Sequence, residues 1–247
     1  MDTGLHGRVA VVCGASSGIG LAISGALAAE GANVAMFARR DEQLEHEAKR
    51  IGGLAVPGDL TDASDLEALV RRTVDAYGGI DVLVLNGGGP PPGPAVGLTA
   101  EAVEAAVRLL LVPHVRLVEL CLEHLRSSGR GRILAVESSS VREPLPNLAL
   151  SNAVRPGVVG WLKTLAHELG PDGVTVNVIA PGRIDTARFR EVYPDGLGAA
   201  GLAAIALGRI GTPEEIASVA CFLASDAAAY VTGAVVPVDG GLTRGLV

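Results

Sequence analysis

A glycine-rich segment near the start of the chain has the composition and spacing of a phosphate-binding loop. The apolar residues 9–12 lead into Gly14, Gly18 and Gly20, and an amphipathic helical pattern follows from Leu21. Glycine permits a sharp turn and a close approach of the backbone to a ligand. The unpaired N–H groups and the positive dipole end of a helix N-terminus attract an anion. This segment therefore predicts a cradle for the phosphates of a nucleotide.

The spacing of these glycines is Gly-x-x-x-Gly-x-Gly, which differs from the more common dinucleotide pattern Gly-x-Gly-x-x-Gly. The plain alternative is a tight turn with a glycine at the start of a helix. The context favours the phosphate loop, because the motif follows an apolar run, opens a helix and begins a repeating β-α pattern.

Apolar runs alternate with helical patterns along the rest of the chain. We predict strands at residues 9–12, 33–38, 54–57, 80–85, 132–137, 174–179 and 234–238. We predict helices after the glycine loop and at 41–51, 63–77, 100–127 with a bend or restart near Pro113, 152–169 and 212–223. This pattern is typical of an α/β protein with a single doubly wound, Rossmann-like parallel sheet of seven strands and helices on both faces. We expect residues 1–247 to form one domain, with a substrate lid at about 183–209.

Composition argues against several classes of function. The 247 residues carry a net charge of −7 without a basic block, so nucleic acid is not an expected partner. No apolar run of about 18 residues is present, and we expect neither a membrane span nor a signal peptide. Cys13, Cys121 and Cys221 lie in apolar segments without metal-ligand spacing. They predict buried thiols in a reducing, cytoplasmic compartment and no metal site.

Motifs after the strands carry a resemblance to a known family. They are the loop 14–20, Gly58-Asp59-Leu60, Asn86-Gly87-Gly88, Ser138 after its strand, Pro181-Gly182 with Thr186, residues 209–215, and Val238-Asp239-Gly240-Gly241. Over nearly its whole length the chain resembles the short-chain dehydrogenase/reductase family, and most of all its 3-oxoacyl-carrier-protein reductases. The resemblance implies binding of NAD or NADP and hydride transfer to or from a carbonyl or alcohol. It also implies a homo-oligomer, because many members are homotetramers.

The resemblance identifies four catalytic positions, and this chain keeps one of them. The family has a Tyr-x-x-x-Lys motif whose tyrosine lies thirteen residues after a serine. Counting from Ser138 places Ser151 at the tyrosine position and Arg155 at the lysine position. The asparagine of the family falls at Leu110. The chain therefore resembles a divergent branch that carries Ser-Asn-x-x-Arg.

These replacements change what the centre can do. A serine hydroxyl is a much weaker acid than a phenol, and arginine stays charged and cannot relay protons. We expect Ser138 and Ser151, within hydrogen-bond reach of each other, to form a two-hydroxyl site for an oxyanion. We expect Arg155 to bind the ribose of the cofactor and to stabilise negative charge.

The proton must then come from water or from another side chain. Four candidates lie within plausible reach in this fold: Glu137, Arg142, His114 and Tyr193. Several have a structural alternative. Glu137 is alternatively a strand-end carboxylate bound to a nearby arginine, which we favour. His114 is alternatively a packing histidine of a long helix, and Tyr193 a residue of the substrate mouth.

Ser151 has a structural alternative as well. It could be the N-cap of its helix, with Pro156 in the first turn and Arg155 directed to solvent. Ser139 and Ser140 are interpreted as turn residues that bond to local N–H groups.

The end of the second strand predicts the choice of cofactor. NAD-binding proteins of this class place an acid there for the ribose 2′-hydroxyl, whereas this chain has Ala38 followed by Arg39 and Arg40. Two guanidiniums suit a 2′-phosphate, so we predict NADP(H) in preference to NAD(H). The alternative is a solvated basic pair, which the dipole at a helix start disfavours. The expected cofactor-binding residues are Gly14, Ser16, Ser17, Gly18, Ile19, Gly20, Arg39, Arg40, Asp59 (to the adenine amino group), Leu60, Asn86, Gly87, Gly88, Arg155, Pro181, Gly182, Ile184 and Thr186.

The sequence thus predicts an NADP(H)-dependent oxidoreductase with an atypical centre, acting on a small carbonyl or hydroxyl compound. Two alternatives stay open: a catalytically degenerate homologue that binds nucleotide or only oligomerises, and a redox-neutral enzyme that performs a dehydration or cyclisation. We predict a homotetramer or homodimer, with residues 242–247 buried between subunits. The apolar helix positions expected at that interface are Leu117, Leu120, Val158 and Leu162.

Overall fold

The computed structural model describes residues 3–245, and within them seven strands form one parallel sheet. The sheet order is β3-β2-β1-β4-β5-β6-β7. The strands are β1 (Val9–Cys13), β2 (Asn33–Ala38), β3 (Leu54–Pro57), β4 (Val82–Leu85), β5 (Arg132–Val136), β6 (Thr175–Pro181) and β7 (Val235–Val238). This arrangement confirms the predicted doubly wound parallel sheet.

Helices cover both faces of the sheet. They are α1 (Gly18–Ala29), α2 (Asp41–Ile51), α3 (Ala63–Tyr77), α4 (Ala100–Leu110), α5 (Val112–Ser127), α6 (Ala149–Leu169), α7 (Ala187–Val192), α8 (Gly198–Ala203) and α9 (Pro213–Ala224). One apolar core lies between the sheet and α3, α4, α5 and α6, and the other lies under α1, α2 and α9. Burial on both faces explains why β1, β4 and β5 are continuously apolar or fully buried runs.

Local signals fix several helix ends. The Asp62 side chain accepts from the N–H groups of Ser64 and Asp65 and caps α3, as predicted. Thr212 and Glu215 form a capping box at the start of α9. The predicted restart near Pro113 is also confirmed, since α4 ends and α5 begins there. The segment predicted as a lid contains α7 and α8.

The start of α6 differs from the prediction. The helix begins at Ala149, so Ser151 lies inside the first turn and is not the N-cap. Pro156 is an interior residue of the helix, where it cannot donate to the carbonyl of Asn152. Hydrogen bonds to residues outside the helix stabilise this earlier start of α6. The N–H of Ala149 donates to the carbonyl of Gly93, and the Asn152 side chain bonds to both backbone polar groups of Leu145.

The helix faces expected at a subunit interface are turned inward. Leu117, Val158 and Leu162 are buried in the core of the single chain, so these three are not part of the contact surface we predicted. Leu120 is half-buried and packs against that core. The reason is that the apolar stripe of each helix faces its own sheet. The predicted buried tail, 242–247, extends past the described residues, since 246 and 247 lie outside them.

All three cysteines are free and buried, as predicted. Burial raises the pKa of the Cys13 thiol to about 12 and that of Cys221 to about 11. Within residues 3–245, none of the helices combines the length and the apolar character that crossing a bilayer requires.

Candidate active site

A cavity of about 960 Å³ opens at the carboxyl ends of the strands. The direction in which successive strands are added to the sheet reverses between β1 and β4. Such a switch point is where ligands bind in doubly wound sheets. The predicted residues that line this cavity are Gly14, Ser16, Ser17, Gly18, Ile19, Arg39, Arg40, Asp59, Leu60, Asn86, Gly87, Gly88, Ser138, Ser151, Arg155, Pro181, Gly182, Ile184 and Thr186. Gly20, the remaining predicted residue of the loop, packs against the carbonyl of Gly14 behind the cavity lining.

The glycine loop can adopt its path only because Gly14 and Gly20 have no side chains, which leaves the space in front of the loop open for a ligand. A Cβ at Gly14 would lie 2.6 Å from Nδ2 of Asn86, and a Cβ at Gly20 would collide with the carbonyl of Gly14. Asn86 in turn donates to the carbonyl of Cys13 at 3.0 Å and holds the ends of β1 and β4 together. Ser17 occupies the N-cap position of α1 without a side-chain cap bond, so the first N–H groups of α1 face the cavity uncapped. These features fit a pyrophosphate.

A basic rim adjoins this loop. The Arg39 side chain is 80% exposed, and its Nη1 lies 3.9 Å from Oδ2 of Asp59. The Arg40 guanidinium donates to Oγ of Ser17. Hydrogen bonds from the backbone N–H and hydroxyl of Thr61 lower the pKa of Asp59, so that carboxylate is charged and able to accept. With Ala38 at the end of β2, the rim presents two cations and one fixed acceptor.

Three serines meet beside the end of β5. Oγ of Ser138 accepts from the N–H of Ser140 at 3.1 Å. The Ser151 hydroxyl lies 3.2 Å from the Ser140 hydroxyl, not in the hydrogen bond with Ser138 that we predicted. Ser138 instead caps the 3₁₀ turn Ser139–Val141 with its side chain. Ser140, interpreted from the sequence as a turn residue, is thus a member of the site that sequence reasoning missed.

Arg155 is buried in the floor of the cavity. Its Nη1 lies 2.8 Å from Oε2 of Glu137, its Nε donates to Oγ of Ser151 at 3.1 Å, and its Nη2 lies 3.5 Å from the carbonyl of Gly88. The alternative with Arg155 directed to solvent is therefore wrong, as is the alternative with Ser151 as N-cap. The expected pairing of Glu137 with a nearby arginine is confirmed.

Behind this pair lies a buried histidine. Nδ1 of His114 is 3.8 Å from Oε1 of Glu137, and neither atom has a hydrogen-bond partner within residues 3–245. Burial, with a smaller contribution from Arg155, lowers the pKa of His114 to about 3. Burial raises the pKa of Glu137, while the Arg155 cation opposes that shift. His114 is therefore neutral near pH 7 and packs in the core, as its structural alternative predicted.

The outer part of the cavity is formed by the segment after β6. Tyr193 lines it, and the Arg183 guanidinium lies 4.6 Å from the centre of the Tyr193 ring. Arg188 also lines it and donates to the carbonyl of Pro90. Arg142, a proton candidate from the sequence, instead lies 3.5 Å from the carbonyl of Val235. Sequence reasoning missed Arg183 and Arg188, although both follow a motif at a strand end.

Comparison with known proteins agrees with this architecture. A family model described as enoyl-(acyl carrier protein) reductase matches residues 14–243. An uncharacterized oxidoreductase of Mycobacterium tuberculosis is 38% identical over 241 residues, which cover 96% of this chain and 97% of that protein. The 3-oxoacyl-[acyl-carrier-protein] reductase FabG of Vibrio cholerae is 36% identical over 242 residues, covering 96% and 98%. The chain belongs to the short-chain dehydrogenase/reductase family.

A solved structure of this family gives the same result for the fold. YwfH, described as an NADPH-dependent reductase involved in bacilysin biosynthesis, superposes with a TM-score of 0.93 at 25% identity and covers 97% of this chain and 99% of its own. The predicted resemblance to 3-oxoacyl-carrier-protein reductases is thus confirmed. Within this short-chain dehydrogenase/reductase, the replacement of the family's tyrosine and lysine by Ser151 and Arg155 stays a prediction from the sequence.

Proposed function

We propose that this short-chain dehydrogenase/reductase is an NADP(H)-dependent oxidoreductase that interconverts a carbonyl and a hydroxyl group on a small molecule. The observation that carries the proposal is one continuous cavity that joins the glycine cradle, the Arg39–Arg40 rim and the Ser151–Arg155 centre. The named activities of similar proteins support it, since FabG is a reductase and YwfH is described as NADPH-dependent.

The residues present fit this cofactor. The uncapped start of α1 would hold the pyrophosphate, and Arg39 and Arg40 would bind the 2′-phosphate. Asp59 would accept from the adenine amino group, and Arg155 would contact the ribose beside the nicotinamide. When bound, the cofactor supplies or accepts a hydride at the substrate carbon.

The chain itself must then stabilise charge on the substrate oxygen. Oγ of Ser151 accepts from Nε of Arg155 and can accept a second hydrogen bond from the Ser140 hydroxyl at 3.2 Å. With Ser140 as the donor, the Ser151 proton is left to donate to a substrate oxygen. The Arg155 cation stabilises an oxyanion bound there, and Ser138 offers a second hydroxyl on the same cavity wall. Glu137 stays paired with Arg155 and holds its orientation. Water entering the open cavity supplies the proton that the missing tyrosine would have given.

We further propose that residues 183–209 act as a lid on a single domain and that the protein works in the cytoplasm as a homodimer or homotetramer. The exposed apolar side chains of Val112 and Val115 on α5 support association of subunits through that helix. Light scattering at micromolar concentration tests the assembly, and a monomer would refute it.

Calorimetric titration with NADPH and NADH tests the choice of cofactor. We expect NADPH to bind at least tenfold more tightly, or about 1.4 kcal/mol, because two charge-assisted contacts are available only to the 2′-phosphate. The double variant Arg39→Ala/Arg40→Ala should lose this preference. Arg50→Ala is the matched control, since Arg50 is an exposed arginine of α2, the helix that follows Arg40, and pairs with Glu47. Equal affinities for the two cofactors in the unmodified protein would contradict the proposal.

A turnover assay distinguishes an enzyme from a catalytically degenerate homologue. The absence of the family's tyrosine and lysine favours the degenerate alternative. We expect oxidation of NADPH in the presence of a panel of ketones, and loss of that activity in Ser151→Ala with the affinity for NADPH unchanged. Tight binding of NADPH without turnover on any carbonyl compound would instead support the nucleotide-binding or redox-neutral alternatives.

A further inference from the structure

Positive charge is concentrated in the cavity of a protein that is acidic as a whole. The net charge of the chain is −7. The charged residues that line the cavity are the arginines Arg39, Arg40, Arg155, Arg183 and Arg188 and the acids Asp59 and Glu137. A cavity with this excess of cations selects anions, and the phosphates of a nucleotide account for the rim formed by Arg39 and Arg40.

The remaining arginines differ in what they bind. Arg155 is paired with Glu137, and Arg188 is paired with Glu191 at 2.6 Å. By contrast, within residues 3–245 no carboxylate or carbonyl accepts a hydrogen bond from the Arg183 guanidinium. Arg183 is therefore the cation of the outer cavity whose donors are free for a ligand.

Arg183 is nevertheless held in place. Its guanidinium lies against the Tyr193 ring, and that ring packs on Phe189 with 5.2 Å between the ring centres. Its backbone is fixed as well, because its carbonyl accepts from the N–H of Gly211 at 2.8 Å. A cation positioned in this way loses little conformational freedom when it binds an anion. The planar fork of an arginine matches both oxygens of a carboxylate.

Apolar side chains line the same cavity as Arg183 and the serines. They are Leu145, Leu148, Phe189 and Val192. The bound molecule must therefore combine an apolar body with an anionic end.

We propose that the substrate is an apolar carbonyl compound with a carboxylate group, and that Arg183 binds this carboxylate while the carbonyl oxygen lies at Ser151. The inference rests on the proposed function, because it names the substrate class of the same site. Arg183 is a specificity-determining residue in this scheme and takes no part in the chemistry.

The test uses straight-chain methyl ketones that end in a carboxylate, in a series of increasing length, together with their methyl esters. Calorimetry in the presence of NADP⁺ measures binding, and oxidation of NADPH measures turnover. We expect at least one acid to bind tenfold or more tightly than its ester. Arg183→Met should remove that difference by weakening the acid alone, with no change in the affinity for NADPH.

Arg190→Met is the matched control, because Arg190 is an exposed arginine of α7, in the same segment after β6, and pairs with Asp185. It should keep the preference for the acid. Equal binding of every acid and its ester would overturn the inference, and so would an Arg183→Met variant that loses NADPH affinity while retaining the preference. If an acid binds through Arg183 but no ketone is reduced, the substrate subsite stands and the proposed oxidoreductase activity fails.

Discussion

The buried pair of Glu137 and Arg155 allows a quantitative test of how this active site is held together. Oε2 of Glu137 lies 2.8 Å from Nη1 of Arg155, and the Glu137 side chain is fully buried. We consider three variants: Glu137→Gln, Arg155→Met and the two combined. Each single change removes one charge and leaves its buried partner without a counter-charge, whereas the double change removes both charges.

The two single variants should differ in their dependence on pH. Glu137→Gln leaves a buried guanidinium that cannot shed its charge, so we expect a loss of about 3–5 kcal/mol in the free energy of unfolding wherever Glu137 of the unmodified protein is ionised. Arg155→Met leaves a carboxyl group that can take up a proton. His114, the other titratable group facing it, stays neutral because burial lowers the pKa of His114 to about 3.

The sign for Arg155→Met follows from the direction of the pKa shift. Burial raises the pKa of Glu137 in the folded state, and the substitution removes the cation that opposes this. The folded protein then holds a proton that the unfolded chain releases above about pH 4.5. Stability is therefore present at low pH and is lost as the pH rises towards the folded pKa. The loss is at most about 1.36 kcal/mol per pH unit and continues until the pH reaches the folded pKa of Glu137.

Urea denaturation at pH 5.5, 7 and 8.5 measures these values. Arg50→Met is the control, because Nε of Arg50 lies at the same 2.8 Å from Glu47 on the surface. It should cost less than about 1 kcal/mol. The double variant should lie within about 1–2 kcal/mol of the unmodified protein. Two results would refute this account of the buried pair. One is a free energy of unfolding of the Arg155→Met variant that does not change with pH. The other is a Glu137→Gln variant that is no more destabilised than the Arg50→Met control.

Two further predictions follow from single side chains. Gly20→Ala should abolish the binding of NADPH measured by calorimetry, because its Cβ would collide with the Gly14 carbonyl and lie 2.8 Å from Nδ2 of Asn86. The control is Gly25→Ala on the same helix, where a Cβ has open space around it. This variant should bind NADPH normally and gain about 0.5–1 kcal/mol in the free energy of unfolding. Because the folded pKa of His114 lies below its ordinary 6.5, stability should fall by about 1.5 kcal/mol from pH 6.5 to pH 5, and His114→Gln should flatten that part of the urea-denaturation profile relative to the unmodified protein.

Local sequence signals accounted for much of the fold. Asp62 and Thr212 cap their helices as predicted, because a cap depends on residues two or three positions away. The start of α6 could not be predicted in this way. It depends on a contact of Ala149 with Gly93, which is distant in the chain, and this contact outweighs the usual preference of Pro156 for a first turn.

The candidate site shows the same division. The cavity contains the predicted glycine loop and the Arg39–Arg40 rim because both follow strand ends directly, and parallel strands end at one edge of the sheet. The partner of Ser151 was missed, since the sequence does not show that Ser138 caps the 3₁₀ turn Ser139–Val141 and that Ser140 lies against Ser151. Inward packing of Leu117 was missed because an apolar helix stripe does not reveal whether it faces its own sheet or another subunit.

The position of β1 has a consequence for synthesis of the protein. β1 is central in the sheet, but its two neighbours are made at different times: β2 begins at Asn33 and β4 only at Val82. At translation rates of about 5–20 residues per second, one edge of β1, which ends at Cys13, stays unpaired for roughly 3–14 seconds. An open edge of an apolar strand invites wrong pairing. We therefore expect a chaperone to be most useful while the chain is still on the ribosome, before β4 is made and can cover this edge of β1.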